Sequence, residues 1–376
     1  MKYLKYIYAL LTPIFTLFFF IVRFPRCNNK VSVGGMQGAF CDNSKYFFYM
    51  LLDSKFDVKW IATTKRTYHE LKYLGVPVVY KYSILGVWHM LRSRVHITSC
   101  YKRETSYLFS IGAIYINFWH GLALKKIEYD IHVGPLSKRY DKSSLIHYAY
   151  KVFVPNVMSK CSYYNLPKSE CGKVMQKAFD IKDNQVVHYE LPRLFTKDKE
   201  IKSNYKILYA PTFRDDNSID CDWDYLNSEL KKRNIIIDVK LHPFDKTFSK
   251  KLEFLTSFNI VKTLDIYEII HDYDLLISDY SSIFIDAIYL NVPVVLYAFD
   301  FYEYISKSRE LYVDFDLIES ALSVARSPSE LINIIDSQEF KDGNILRKYF
   351  WGEESLKDCN SMLFELVYGV KYKNES

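Results

Sequence analysis

The sequence predicts an α/β protein of two successive doubly wound halves, each with a parallel sheet covered by helices. Short apolar runs alternate with polar, helix-compatible stretches after residue 30, and a polar break at 195–206 divides this series in two. The chain has 376 residues, 49% of them hydrophobic, which suits two buried cores. We therefore expect an N-terminal domain at 30–195 and a second domain at 206–376 that includes the C-terminal helices.

The predicted strands of the first half are short and apolar. They lie at 30–33, 57–63, 76–82, 94–99, 113–119, 151–156 and 185–189. Polar segments such as 65–74 separate several of them and are compatible with helices. This alternation is typical of a parallel sheet whose two faces are covered.

The second half repeats the pattern. Strands are predicted at 206–212, 234–243, 259–263, 274–279 and 292–299, helices at 222–233, 265–272 and 281–290, and mostly helix beyond 327. Two such halves enclose a cleft, and ligands of parallel sheets bind at the carboxyl ends of the strands. The polar residues that follow each strand are therefore the candidates for chemistry.

Residues 1–29 form a separate, apolar segment. The stretch 6–22 has 17 residues without a charge and is flanked by cations on both sides. As a helix it would be about 25 Å long, slightly short of a bilayer core of about 30 Å. We expect a membrane-associated segment that spans the bilayer or lies in its plane. A cleaved signal peptide and a buried core helix are the alternatives.

Charge and cysteine content exclude several classes of protein. The net charge of +6 is only mildly basic, which suits an anionic substrate or membrane surface and does not indicate nucleic acid. The seven cysteines show no CxxC pair, so neither a zinc ribbon nor a disulfide framework is expected. Neither GxGxxG nor GxxxxGK[ST] occurs, which argues against a dinucleotide dehydrogenase or a P-loop NTPase.

The segment Ile116–Lys126, INFWHGLALKK, carries the first candidate site. His120 follows a predicted strand, Gly121 permits a sharp turn, and Lys125 and Lys126 are close enough in sequence to face an anion. A buried structural histidine is the alternative interpretation.

Four further strand exits carry polar residues. Thr212 and Arg214 follow one strand, His242 ends another, and Arg193 follows a third; Arg214 has the forked donor geometry that phosphate prefers. At the fourth exit, Ser278 to Ser282 (SDYSS) precede an apolar-periodic helix that Ser281 or Ser282 can cap. The free N–H groups of a helix start attract phosphate. Plain structural turns and caps are the alternatives here.

These motifs together resemble the CDP-glycerol glycerophosphotransferases of teichoic acid synthesis. The blocks that carry the resemblance are NFWHGLALKK, ILYAPTFRDD, VKLHP and LLISDYSSIFIDA, in that order, over about residues 115–305. The length of the chain and its short N-terminal apolar segment are more similar to the primase-type members than to the long polymerases.

The resemblance implies a GT-B-like fold with two Rossmann-like halves. It implies transfer of a polyol phosphate from a CDP-activated donor, CDP-glycerol or CDP-ribitol, to an acceptor hydroxyl, with release of CMP and without a redox cofactor. It makes His120 and His242 the catalytic candidates and Ser278 to Ser282, with Asp279, the donor-phosphate region. We expect no metal, because no carboxylate cluster in the sequence demands one.

The expected mechanism assigns a role to each residue. His120 acts as general base on the acceptor hydroxyl, while Arg214, His242 and the helix start at Ser281 and Ser282 stabilise the leaving phosphate. The lysine pair, Lys125 and Lys126, holds the phosphates of a lipid-linked acceptor. Asp279 orients a histidine or binds a ribose hydroxyl. The apolar N-terminus would then keep the protein on the cytoplasmic side of the membrane.

Two departures from the family pattern affect these expectations. Glu190 and Phe195 stand where the family often has the Gly and Asp of G-x-P-R-x-D, which weakens the case for Arg193 as a ligand. Leu122 and Ala123 stand where Thr and Pro are common, which affects the fit of donor or acceptor. The alternatives are a CDP-ribitol ribitolphosphotransferase, a GT-B glycosyltransferase that uses a nucleotide sugar, and a non-catalytic binding protein.

Overall fold

Two parallel sheets organise the chain. The computed structural model describes residues 2–195, 205–212, 221–241, 245–263, 265–307 and 310–369. The strands in these ranges are β1 (Cys27–Gly34), β2 (Asp57–Ala62), β3 (Val78–Tyr80), β4 (Ser93–Thr98), β5 (Ile114–Asn117), β6 (Tyr163–Asn165), β7 (Val186–Val187), β8 (Ile207–Ala210), β9 (Ile237–Val239), β10 (Phe258–Ile260), β11 (Leu275–Ser278), β12 (Val294–Tyr297) and β13 (Ser323–Ala325).

Helices cover both sheets. In the described ranges they are α1 (Lys2–Val22), α2 (Asp42–Leu52), α3 (Lys65–Tyr73), α4 (Ile84–Arg92), α5 (Ser137–Tyr140), α6 (Leu145–Phe153), α7 (Pro155–Met158), α8 (Glu170–Ala178), α9 (Trp223–Lys232), α10 (Lys246–Leu252), α11 (Ile283–Tyr289), α12 (Phe301–Lys307), α13 (Phe315–Ala321), α14 (Pro328–Ser337), α15 (Asn344–Trp351) and α16 (Met362–Tyr368).

Both sheets are doubly wound, as the alternation of the sequence predicts. The first has the strand order β3-β2-β1-β4-β5-β6-β7 and the second β10-β9-β8-β11-β12-β13, and the pairs within them are parallel. Strand order reverses between β1 and β4 in the first sheet and between β8 and β11 in the second. Such a switch point opens a crevice at the carboxyl ends of the strands, so the topology places the candidate residues at these two edges.

Two local predictions were wrong. Residues 151–156, predicted as a strand, belong to α6 and α7, because the Ser144 hydroxyl caps α6 by accepting the Ile146 N–H (3.2 Å) and Pro155 opens α7. The predicted helix at 265–272 is a pair of 3-10 turns, Ile266–Glu268 and Ile270–Asp272. The sequence reading also missed β6 and β13, which are only three residues long and show little periodicity.

The two halves are joined by backbone pairing. Lys125 forms an antiparallel bridge with Leu311, the Lys126 N–H donates to the Glu310 carbonyl (2.8 Å), and the Tyr312 N–H donates to the Leu124 carbonyl (2.9 Å). The predicted linker lies at 195–206, and 196–204 of it fall outside the described residues.

The end of the chain crosses back onto the first half. The ring of Phe364 on α16 lies 5.4 Å from that of Phe56, and the Tyr189 hydroxyl donates to Glu365 (2.8 Å). Residues assigned by sequence to the second domain therefore also contact the first, and the predicted domain boundaries stay a prediction.

The N-terminal helix α1 lies on the surface. The ring of Phe19 lies 5.5 Å from that of Phe109, α1 also packs against α6, and the opposite side of α1 is exposed. Within the described part of the chain, no helix has the length and apolar character needed to cross a membrane.

Glu104, just beyond β4, should make stability depend on pH. Its carboxylate accepts from Ser99 N–H (3.0 Å) and the Thr98 hydroxyl, and burial raises its pKa to about 7. The folded state favours the protonated acid, so protonation of Glu104 stabilises the fold. This contribution to the free energy of unfolding is complete below the unfolded pKa of about 4.3 and is lost as pH rises to about 7. A shift of this size amounts to roughly 3 kcal/mol.

We expect the Glu104→Gln variant to show a flatter dependence of unfolding free energy on pH between these limits. Urea titrations at several pH values would measure it. Equal slopes for wild type and variant would show that Glu104 does not titrate in this range.

Candidate functional site

Three strand exits of the second sheet converge at one edge. Strands β9, β8 and β11 are neighbours, so the residues that follow them emerge side by side. They are Lys240 after β9, Thr212 after β8, and Asp279 to Ser282 after β11. The sequence prediction that these polar residues share an edge is therefore met for Thr212 and the SDYSS segment.

Asp279 and Ser278 hold this edge together. The Asp279 carboxylate accepts from both the backbone N–H (2.8 Å) and the hydroxyl (2.6 Å) of Thr212. The Ser278 hydroxyl is fully buried and donates to the Ala210 carbonyl (2.9 Å). Both residues thus position the β8 exit. Their direct contact with a donor, expected from the resemblance, stays a prediction.

The turn that carries His120 has an unusual backbone. Trp119, directly before it, adopts a left-handed φ of 55°, a conformation that is costly for a bulky residue. Two asparagines hold it there: the Trp119 N–H donates to Asn117 (2.8 Å), and Asn43 donates to the Trp119 carbonyl (3.1 Å). The indole ring is buried against Phe179, whereas His120 is exposed. The turn therefore directs the imidazole outward from a rigid base.

Gly121 brings the two halves into contact. It has a φ of 149°, and a Cβ at this position would lie 3.4 Å from Arg193 Nη2 and 3.6 Å from Ser282 Oγ. The His120 turn of the first half thus lies against the SDYSS segment of the second. A side chain at Gly121 would be strained by this backbone conformation, although its Cβ would lie at ordinary van der Waals distance from both atoms.

A cleft of about 530 Å³ opens where these segments meet. This volume suits a small ligand. Its walls are formed by Trp119, His120, Gly121, Leu122, Ala123, Leu124, Lys125, Ile127, Ala210, Pro211, Thr212, Lys240, Leu241, Ile266, Tyr267, Tyr280, Ser281, Ser282 and Ile283. The two departures from the family pattern, Leu122 and Ala123, lie in this wall.

Arg193 lies beneath the cleft and is fully buried. Its Nη1 donates to Asp42 (2.8 Å) of the first half, and its Nη2 donates to both oxygens of Asp286 (2.8 and 3.0 Å) of the second. The guanidinium also lies 4.7 Å from the Tyr267 ring, and the Tyr267 hydroxyl donates to Asp286 (2.5 Å). Arg193 therefore joins the two halves, and its two terminal nitrogens are engaged by carboxylates.

This cluster is electrostatically coupled. Burial opposes the charge of Arg193, but Asp286 and Asp42 raise its pKa well above the ordinary value. Burial raises the pKa of Asp286, although Arg193 counteracts that effect. Such a pair is stable only while each charge keeps its partner.

The lysine pair contacts the second half. Lys125 donates to the Tyr304 hydroxyl, its ammonium lies 4.9 Å from the centre of that ring, and it lines the cleft. Lys126 pairs with Glu310 (2.5 Å) near the surface. Any acceptor phosphate would have to compete with these partners, and the acceptor role of both residues stays a prediction.

Two predicted residues lie outside the described ranges: Arg214 and His242. The predicted serine cap of α11 was wrong in detail, because Ser282 occupies the N-cap position but its side chain makes no capping hydrogen bond. Both Ser281 and Ser282 line the cleft instead. In the described residues, no group of three His, Cys, Asp or Glu side chains is arranged to hold a metal ion.

The sequence reading missed Asp42, Asp286, Tyr267 and Lys240. Asp42 and Asp286 lie 244 positions apart yet meet on one guanidinium, and no local pattern predicts such a contact. Asp286 did carry a signal: it is the one acidic residue in the apolar helix α11 and is buried there. Lys240 lies in the VKLHP block, two residues before His242.

The sequence profile described as CDP-glycerol:poly(glycerophosphate) glycerophosphotransferase matches residues 19–350. The chain belongs to this family. It is similar to a teichoic acid glycerol-phosphate transferase of Staphylococcus aureus, 26% identical over 330 residues that cover 80% of this chain and 82% of that one. A teichoic acid glycerol-phosphate primase of Bacillus subtilis is 28% identical over 58% of each chain.

Other relatives are longer or more distant. A teichoic acid poly(ribitol-phosphate) polymerase of Bacillus spizizenii is 30% identical over 190 residues, 47% of this chain but only 30% of the polymerase. Among solved structures, the wall teichoic acid polymerase TagF superposes with a TM-score of 0.70 at 19% identity, covering 92% of this chain and 89% of that one. This likeness confirms the α/β fold with parallel sheets.

Proposed function

We propose that this glycerophosphotransferase-family protein transfers a polyol phosphate, with glycerol phosphate the first candidate, from a CDP-activated donor to an acceptor hydroxyl. The observation that carries the proposal is the contact in the cleft, where the His120 turn of one half meets Ser282 of the other. Two doubly wound halves around one cleft also support the GT-B-like assignment. CDP-ribitol is the second candidate donor, because ribitol-phosphate polymerases are among the relatives.

The proposed reaction needs a general base for the acceptor hydroxyl and hydrogen-bond donors that stabilise the leaving phosphate. The acceptor oxygen forms a bond to the β-phosphorus of the CDP-polyol, the bond from that phosphorus to the bridging oxygen breaks, and CMP leaves with the electron pair. His120 is exposed to the cleft and takes the proton of the acceptor hydroxyl. Ser281, Ser282 and Thr212 lie across the cleft, where their hydroxyls can donate to phosphate oxygens.

A panel of donors tests the reaction. The purified protein, supplied with a lipid-linked acceptor, should release CMP from CDP-glycerol or CDP-ribitol and should leave UDP-sugars intact. Chromatography of the nucleotide products would measure both. Release of UMP or UDP from UDP-sugars with no CMP from either CDP-polyol would assign the chain to sugar transfer. Binding of a CDP-polyol without turnover would indicate a non-catalytic protein.

We further propose that α1 lies in the plane of a membrane and holds the protein on its cytoplasmic side, near a lipid-linked acceptor of teichoic acid or capsule synthesis. The outer side of α1 exposes large apolar residues: Leu10, Ile14, Leu17, Phe18 and Ile21 are each more than half exposed. Neighbouring α6 adds Leu145 and Val152. Contiguous apolar surface of this kind is a feature of interfacial helices.

Charge substitutions on α1 test the membrane proposal. The double variant Leu17→Glu, Ile21→Glu should lose most of its flotation with anionic lipid vesicles, because each carboxylate would have to enter the apolar layer. The control is Tyr73→Glu, which places a carboxylate at an exposed aromatic residue on α3 instead of α1. Equal flotation of all three proteins would contradict the assignment.

A further inference from the structure

Lys240 lines the cleft from the second half of the molecule. It follows β9, next to β8 in the sheet, and lines the same cleft as His120, Thr212 and Ser282. Its place in the fold is therefore that of a residue presented to whatever the cleft binds.

The hydrogen bonding of Lys240 leaves donors available. The ammonium donates to the backbone carbonyl of its neighbour Leu241 (3.0 Å), which uses one of its three N–H groups. The side chain is half-buried, and burial lowers its pKa, although Asp265 opposes this. A partly desolvated cation with two remaining donors interacts strongly with an anion.

Other cations near the cleft that belong to the described residues are already engaged. Arg193 and Lys45 are buried and form ion pairs, Arg193 with Asp42 and Asp286, and Lys45 with Asp265 (3.0 Å) and Glu268. Lys125 donates to Tyr304. In the ranges that the structure describes, Lys240 lines the cleft without forming an ion pair with any carboxylate.

We propose that Lys240 binds the pyrophosphate of the donor and holds the phosphate of the departing nucleotide. This inference rests on the proposed function, because that function places a pyrophosphate in the cleft. Negative charge accumulates on the oxygen that bridges the two phosphates as CMP leaves, and a cation at this edge stabilises it. The acceptor, activated by His120 on the opposite wall, does not contact Lys240.

Three variants test the proposal. Lys240→Met keeps the length of the side chain without its charge, Lys240→Gln keeps a polar head, and Lys240→Arg keeps the charge. The matched control is Lys262→Met, which removes an exposed lysine just beyond β10, in the same sheet but outside the cleft. Thermal unfolding of each protein shows whether it is folded. If Lys240→Met is not folded, Lys240→Gln takes its place in the measurements.

The measurements distinguish an effect on donor binding from an effect on acceptor binding. We expect Lys240→Met to weaken binding of CMP and of inorganic pyrophosphate by about 10- to 100-fold, the range for a lost hydrogen bond to a charged group. The kcat/KM for the CDP-polyol should fall by a similar factor, while KM for the acceptor stays unchanged. Lys240→Arg should recover most of the binding, and Lys262→Met should match the wild type.

The outcomes distinguish this inference from the proposed function. Unchanged CMP and pyrophosphate binding in a folded Lys240→Met protein that still turns over a CDP-polyol would overturn the inference and leave the function intact. If the wild type turns over no CDP-polyol but binds pyrophosphate, and Lys240→Met loses that binding, the proposed function is overturned and an anion site at Lys240 is supported. A wild type that neither turns over a CDP-polyol nor binds CMP or pyrophosphate would overturn both.

Discussion

Replacement of His120 by alanine should lower the rate of CMP release from the CDP-polyol by about 10²- to 10⁴-fold, the usual contribution of a general base. An acceptor hydroxyl is a weak nucleophile at neutral pH and needs a group that takes its proton. His120 is held at the cleft by the constrained Trp119 backbone, so the loss should appear in kcat more than in donor KM. Single-turnover release of CMP measures this step.

Two companion variants make the result specific. His69→Ala removes an exposed histidine on α3, far along the chain from the cleft, and should keep wild-type turnover. His242→Ala tests the second histidine of the family pattern. Near-normal turnover in His120→Ala together with a large loss in His242→Ala would transfer the role of base to His242.

Replacement of Arg193 by methionine should lower the free energy of unfolding by about 3–5 kcal/mol, the cost of breaking a buried ion pair from one side. Asp42 and Asp286 would keep their burial but lose their shared cation. The effect should show as a lower urea midpoint. Activity should fall as well, because the guanidinium lies against Gly121, the residue that follows His120 in the cleft turn.

An exposed pair provides the control for this prediction. Arg233 contacts Asp336 (2.8 Å) and Glu229 (2.7 Å) at the surface, and Arg233→Met should leave the urea midpoint close to that of the wild type, because solvent screens exposed ion pairs. In the double variant Arg193→Met, Asp286→Asn, the loss should be smaller than the sum of the two single losses, because one of the two uncompensated carboxylates is gone. Strict additivity would show that Arg193 and Asp286 act independently.

Local pattern was sufficient for most of the fold. Apolar runs bounded by polar segments identified β2, β4, β5, β8, β11 and β12, since a strand buried on both faces has a continuous apolar signal. The same rule failed at 151–156, where apolar residues belong to a helix whose outer side is exposed. A short apolar run cannot by itself distinguish a buried strand from a helix segment.

Placement of the site followed from topology as well as from motifs. Residues after parallel strands share an edge, so His120, Thr212 and Ser282 were predictable as neighbours of a cleft. The function of each of these residues was not predictable from topology. Ser278 and Asp279 look like ligands in sequence, yet their hydrogen bonds go to the β8 exit, because a buried hydroxyl or carboxylate takes the partner that folding provides.

The sequence by itself determined the fold class, the family and the cleft edge, because periodicity and short motifs are local properties of the chain. Only the tertiary structure decided which charges meet. Arg193 was a weak ligand candidate in sequence and proved to be a fully buried junction between Asp42 and Asp286. Lys240 was not a candidate in sequence, and it lines the cleft. Ion pairs between residues far apart in sequence depend on how two halves dock, and no local pattern encodes that docking.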